Sequence, residues 1–252
     1  MSTPTSSATK ASLVMTALAV AGCGGSSDPS PQHFQFTFAE DLEGWIIGFA
    51  DYPAGLSDAE QQAIDEFYEL DGGHARLPQP LDTGDGAVLL TGNNHSDDLF
   101  MFLKRRVSGL APDTTYQLEL RVVFATDVPR GCAGIGGSAG ESVVVKGGAS
   151  DIEPLRVMDD TSGHATWIMN VDKGDQANGG TEAQVLGDFA NSQDCESSDF
   201  NYELKELSNM ELPAFEVTTD GNGDAWLLLG TDSGFEGTTT IYYTEIEAVF
   251  VD

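Results

Sequence analysis

Positive charge is scarce in this chain: 11 lysines and arginines stand against 41 aspartates and glutamates in 252 residues, a formal net charge of −30. Such a surface would repel a phosphate backbone rather than neutralise it, so nucleic-acid partners are excluded. The same charge opposes docking on anionic lipid, and any hold on a membrane must come from another source. Self-repulsion on this scale destabilises a folded chain unless counterions screen it, which fits a salty habitat, divalent-cation binding, or both. Long apolar runs are lacking too. The run ASLVMTALAVAG at residues 11–22 is shorter than the roughly 20 residues that span a bilayer. Cysteines stand only at 23, 132 and 195, a spacing that excludes a C-x-x-C redox or zinc site.

What is present at the N-terminus is specific. Lys10 precedes the apolar run in the manner of a signal-peptide core. The run ends in Val20-Ala21-Gly22-Cys23, which resembles the lipobox of bacterial lipoproteins. That resemblance implies a signal peptide over residues 1–22, diacylation of Cys23 and attachment to a membrane through lipid. Gly24 stands where an aspartate would act as an inner-membrane retention signal in many Gram-negative bacteria, so the resemblance points to the outer membrane. Residues 23–32 then read as a flexible tether rich in glycine, serine and proline. With Cys23 lipidated, Cys132 and Cys195 form an even pair in an oxidising compartment. A disulfide is their simplest use, with a mixed metal site as the minor reading.

Beyond the tether, residues 33–252 show no internal repeat and no second linker, so one domain is expected. Alternation dominates it. In TYQLELRVVF, Tyr116, Leu118, Leu120, Val122 and Phe124 share one face while Gln117, Glu119 and Arg121 share the other. The C-terminal IYYTEIEAVFV places Tyr242, Ile246, Ala248 and Phe250 on one face in the same way. Further strands are expected at HFQFTF, GWIIGFA, GAVLLTG, LFMFLKRRV, ESVVVKG, HATWIMNV, AFEVTT and AWLLLG, separated by Gly, Asp, Asn and Pro clusters. So many short strands make a sandwich or barrel. One short helix is expected near residues 58–69: Ser57 and Glu60 form a capping box, and Ala63, Ile64, Phe67 and Tyr68 follow at helical spacing as a stripe that covers an end or edge of the sheets.

FTFAEDLEGW (36–45), GLAPDTTYQLELRVVFAT (109–126) and TTTIYYTEIEAVFV (238–251) resemble the opening, middle and closing strands of galactose-binding-like jelly rolls, the fold of many carbohydrate-binding modules. The chain as a whole also resembles uncharacterised lipoproteins of environmental bacteria. The first resemblance implies an all-β jelly-roll sandwich in which Leu110 and Tyr116 belong to the core. It also implies a structural calcium held by carboxylates after the first strand and in the last. Alanine 39 and threonine 244 replace two of the acids common there, which leaves Glu40, Asp41 and Glu245 as the candidate oxygen donors.

Several motifs lose their function in context. Asp220-Gly-Asn222-Gly-Asp224 begins like a calcium loop, but Ala225 replaces the turn glycine and Thr231 the twelfth-position glutamate, so a hairpin turn is expected. Gly136-Gly-Ser138-Ala-Gly140 matches a nucleophile elbow, yet the run after it, ESVVVKG, reads as a strand rather than the helix that chemistry needs.

The stretch GNNHSDD at residues 92–98 admits two readings. Asn93, Asn94 and Ser96 are turn formers, and Asp97 or Asp98 caps the turn before a strand. Alternatively, Asn93, Asn94, His95, Asp97 and Asp98 present donors and acceptors to sugar hydroxyls or calcium from a loop on a rigid scaffold. The segment GTDSGFEG (230–237) reads as a second loop that could join it, offering Asp232, Phe235 and Glu236. Tyr52 and Phe235 are the loop aromatics suited to stacking on a sugar, whereas Trp45, Trp167 and Trp226 lie in strand-like runs. Three functions follow in order: a lipid-anchored binder of a glycan or other polar ligand, a structural or assembly lipoprotein with a protein partner in the envelope, and a hydrolase using Ser138 or His95.

Overall fold

The computed structural model describes residues 30–81, 84–196 and 200–252. The segment before Ser30, with Cys23 and nearly all of the expected leader and tether, lies outside them. Gln32, the end of the expected tether, already pairs with Phe250.

The chain folds as a β-sandwich. One layer is a seven-stranded antiparallel sheet whose main path runs β12 (Glu203–Ser208), β7 (Thr115–Thr126), β15 (Thr238–Val251), β5 (Gly86–Asn93), β4 (Asp71–Arg76). On it, β1 (Gln32–Phe36) pairs with β15 and β13 (Glu216–Thr218) with β7. The facing layer runs β11 (Gln184–Asp188), β8 (Val143–Ser150), β14 (Asp224–Ser233), β6 (Leu99–Ser108), β2 (Ile46–Ala50). The chain passes between layers from β5 to β6, to β7, to β8 and again from β14 to β15, which is the jelly-roll habit. Between the layers lie Leu118, Leu120, Val122 and Phe124 of β7 against Leu99, Met101 and Leu103 of β6 and Leu227 and Leu229 of β14. Leu110 and Tyr116 are in this core, and the Tyr116 hydroxyl accepts the Ala111 N–H at 2.9 Å.

The last strand corrects the expected face. Pairing with β7 shifts register between Tyr243 and Glu245, leaving Thr244 as the extra residue of a bulge. Ile241 and Tyr243 therefore point into the core before the bulge, and Ile246, Ala248 and Phe250 after it, while Tyr242 packs on the outer face with Tyr202. A second correction concerns residues 220–224. They connect β13 to β14, which belong to different sheets, so they are a crossing turn and not a hairpin. Asp220 Oδ1 accepts the N–H groups of Asn222 and Asp224 at 2.8 and 2.9 Å.

The outer face of the five-stranded sheet is not open. A small sheet of β3 (Tyr52–Pro53), β10 (Thr166–Met169) and β9 (Arg156–Asp159), with the loop that follows it, lies over it. Phe100, Phe102 and Leu228 of the large sheet meet Met169, Val171 and Ala183 of this cover in a second apolar cluster. Gly48 and Gly230 make room for it, because a Cβ at either would run into the rings of Phe102 and Phe100.

Helix α1 (Asp58–Phe67) begins at Ser57, whose Oγ accepts the Glu60 N–H at 3.3 Å. The Glu60 carboxylate caps Leu56 N–H at 2.9 Å, one residue before the reciprocal partner expected. Only half of the apolar stripe is covered. Ile64 and Tyr68 pack on the core, whereas Ala63 is exposed and Phe67 is 61% exposed.

Candidate functional site

Two groups of side chains meet where β5 ends and β6 begins. The first is a buried charge cluster on the covered face of the five-stranded sheet. The segment expected as a loop at 230–237 is strand as far as Ser233, and alternation turns Asp232 outward from the core, beneath the cover, where it is fully buried. Its Oδ2 accepts from Lys146 Nζ and Lys173 Nζ, each at 2.7 Å. Lys146, a fully buried residue of β8, spends its other donors on the carbonyls of Lys173 and Asn178 at 3.0 and 2.8 Å. Lys173 also meets Asp51 Oδ2 at 2.8 Å. Asp98 completes the group: Asp51, Asp98 and Asp232 each have an oxygen within 4.8 Å of the other two.

Burial pushes the Asp232 carboxyl up, but Lys173 and Lys146 outweigh it and hold the group below the usual carboxylate range. Burial depresses Lys173, and Asp232 with Asp51 more than reverses this, raising it above an ordinary lysine. For Lys146 burial prevails over Asp232 and the ammonium is pulled down. Burial and the neighbouring Asp232 and Asp51 charges push Asp98 up to about 8.

The second group is a surface groove along α1. Pro53, Glu60, Ala63, Ile64, Phe67, Tyr68 and His95 line a depression of about 450 Å³. It continues past Pro53, Glu60 and Ile64 into one of about 690 Å³ lined by Leu56, Asp160, His164 and Thr166. Its most prominent feature is Phe67, whose ring stacks on the His95 imidazole with centroids 4.2 Å apart and planes 25° from parallel. His95 Nε2 lies 3.1 Å from the Phe67 carbonyl, and the ring meets Tyr68 edge-on. Helix and loop are thereby one unit.

The expected convergence of GNNHSDD with residues 232–237 is present. Asn93 pairs with Thr238 and donates its N–H to the Tyr68 carbonyl at 2.6 Å. Asn94 is buried; its Nδ2 donates to the carbonyls of Ser233 and Phe235 at 2.8 and 3.1 Å, and its Oδ1 accepts the Ser96 N–H at 3.0 Å. That amide is a brace with nothing left for a ligand. Asp97, at φ +63°, offers its carbonyl to Gln176 at 2.7 Å, and its exposed carboxylate comes up beside Gly136 with Glu236. The glycine-rich loop at 131–137 thus joins the cluster, tied to residue 195 by the Cys132–Cys195 disulfide, with Cα atoms 5.1 Å apart.

Other expected residues stand elsewhere. Tyr52 is buried rather than displayed, because its hydroxyl bonds Asp65 Oδ1 at 2.9 Å and receives Gln61 and Arg156, docking α1 on the small sheet. Phe235 is half-buried, wedged beside Gly134 and Gly237 and packed against the core rather than displayed on a loop. Trp45 is buried; Trp167 and Trp226 are half-buried with Arg156 and Lys104 over their rings. Glu245 is engaged by Arg121 at 3.0 Å and Gln35 at 2.8 Å, and Asp41 accepts the Glu43 N–H at 2.6 Å while Glu40 is exposed. Among the described residues these three carboxylates do not gather into one group. Ser138 bonds Glu141 on both sides of a tight turn and has no histidine partner among the described residues.

Sequence reasoning missed Phe67, Asp51, Lys146 and Lys173. Phe67 sits at a core-like helical position, and only tertiary packing leaves it outside. Lys146 did carry a signal: a lone ammonium inside VVVKGG, in a chain so poor in lysine, asks for a buried partner.

No protein-family model matches the chain, and no curated relative matches it. Among solved structures, it is similar to the enzymatically active domain of tailspike protein 4 of bacteriophage CBA120, at 8% identity over 82% of this chain and 20% of that one, with a TM-score of 0.36. It thus spans about a fifth of that chain's length. A carbohydrate-binding module studied for specific mannan recognition aligns at 10% identity over 89% of this chain and all of its own, TM-score 0.37. The cleaved adhesin domain of Lys-gingipain from Porphyromonas gingivalis aligns at 11% identity over 88% and 99%, TM-score 0.36. Likenesses this distant assign no ligand.

Proposed function

We propose that this protein is a non-catalytic binding module for an extracellular glycan, held at the outer membrane by acylated Cys23, and that the groove along α1 receives the sugar. The observation that carries the reading is the exposed Phe67 ring backed by His95. An aromatic face held rigid in a groove suits the apolar C–H face of a pyranose, while polar groups at the rim take its hydroxyls. Glu60, Asp160, His164 and Thr166 supply that rim. Among the described residues no lysine or arginine lines either part of the groove, so a neutral glycan fits it better than an acidic one.

The test is binding of residues 24–252 to an immobilised panel of neutral and acidic polysaccharides, with calcium and with chelator. Retention on a neutral glycan supports the reading, and retention only on acidic polymers contradicts it. The chelator arm tests a structural calcium, which we retain as a proposal.

A second reading, a protein partner in the envelope, is favoured by one observation. Ile46, Ile152, Leu155, Val157 and Met158 are all between 38% and 50% exposed on or beside β2 and β9, the edge strands of their sheets. It predicts that Val157→Lys abolishes co-purification of an envelope protein and leaves glycan retention unchanged.

A further inference from the structure

We propose that Asp98 and Asp232 share a single proton, and that this proton is a latch closing the 94–98 loop onto β14. Three carboxylates and two ammoniums meet here, so full ionisation leaves one negative charge without a counterpart. Asp98 Oδ1 and Asp232 Oδ1 are both buried without a hydrogen-bond donor among the described residues, and the two side chains lie within hydrogen-bonding reach of each other. Two ionised oxygens cannot face each other in a water-poor site at low cost, and sharing one proton removes the conflict.

Every group packed around Asp98 bears on this. Asp232 of β14 and Asp51 after β2 favour the proton on Asp98, and Lys173 of the cover opposes it. Lys146 of β8 acts one step away, by holding Asp232 ionised through its other oxygen. A proton also suits the space better than a cation. Both ammoniums already sit 2.7 Å from Asp232 Oδ2, and calcium asks for about six to eight oxygens.

The latch has a position that matters. Asp98 closes the same short loop that Asn94 braces and that carries His95 under Phe67. Loss of the proton would set ionised Asp98 against ionised Asp232 and loosen the support of that ring. This last consequence rests on the glycan reading, whereas the latch itself does not.

The direction with pH follows from linkage. The folded carboxyl titrates at about 8, above its unfolded value. Stability from the proton is therefore full below about pH 4 and is lost as pH rises through about pH 8. The experiment is thermal unfolding of the wild-type chain and Asp98→Asn across this range, each with calcium and with chelator. Asparagine keeps the shape and donates permanently to Asp232. The wild-type should match Asp98→Asn below about pH 4, lose melting temperature relative to it as pH rises from there, and lie well below it at about pH 9, with or without chelator.

Amides of residues 95–98 should exchange faster in the wild-type than in the variant at the upper pH. Carbon-13 titration of the wild-type carboxyls should show a step at about pH 8. Parallel melting curves, or no carboxyl titration above about pH 6, would overturn the latch. So would calcium-dependent stabilisation of the wild-type that the variant lacks, which would put a cation in the proton's place. Melting and exchange results as expected without retention on any glycan would leave the latch standing and remove the glycan reading alone.

Discussion

Asn94 spends every polar atom of its side chain inside the protein, on two carbonyls of the 233–235 segment and one N–H of its own loop. Replacing it by alanine leaves buried carbonyls unpaired, and a loss of about 1–3 kcal/mol is expected in denaturant unfolding. His95, its exposed neighbour, should behave differently: His95→Ala is expected to change stability by less than about 1 kcal/mol while weakening ligand retention, because it removes the support of Phe67 and little else. Asp232→Ala should cost about 3–5 kcal/mol, since it takes from buried Lys146 its carboxylate partner and leaves Lys173 with Asp51 alone. Residue types thus announced that 92–98 is special, but not the division of labour within it. A brace, an exposed ring partner and a buried acid all read as polar letters in sequence, and only burial separates them.

At the scale of elements, alternation located the strands whose apolar side chains fill the core. The missed strands β3, β4, β9, β11 and β12 share one property: each is an edge of its sheet. An edge strand is paired on one side only and contributes less to the core, so a segment such as DGGHAR needs no apolar period. The bulge at Thr244 was illegible for another reason, because an inserted residue changes the phase of alternation without changing composition. The cysteine pair was legible from parity, once Cys23 was set aside as the expected lipid anchor. Cys132→Ser should lower stability by up to about 4 kcal/mol in the chain-entropy account of a 63-residue span. It should also speed proteolysis within residues 131–137, which the disulfide ties to the sandwich.

Across the whole molecule the dominant quantity is charge. Loss of the proposed leader would take away Lys10 alone among charged residues and leave a formal −31, with 41 carboxylates against 10 cations. Raising ionic strength from about 0.01 M to about 1 M shortens the Debye length from about 30 to about 3 Å, so the melting temperature should rise with salt. A flat response in calorimetry would mean that the surface charges are already compensated. The central claim is that an exposed aromatic ring on α1 receives a neutral sugar, and affinity electrophoresis of residues 24–252 through polysaccharide gels tests it most directly. The wild-type should be retarded by a neutral polymer, Phe67→Ala should run free with its melting temperature intact, and Leu204→Ala, on the far layer of the sandwich, should match the wild-type. Equal retardation of Phe67→Ala and wild-type would contradict the account and move the site off the groove.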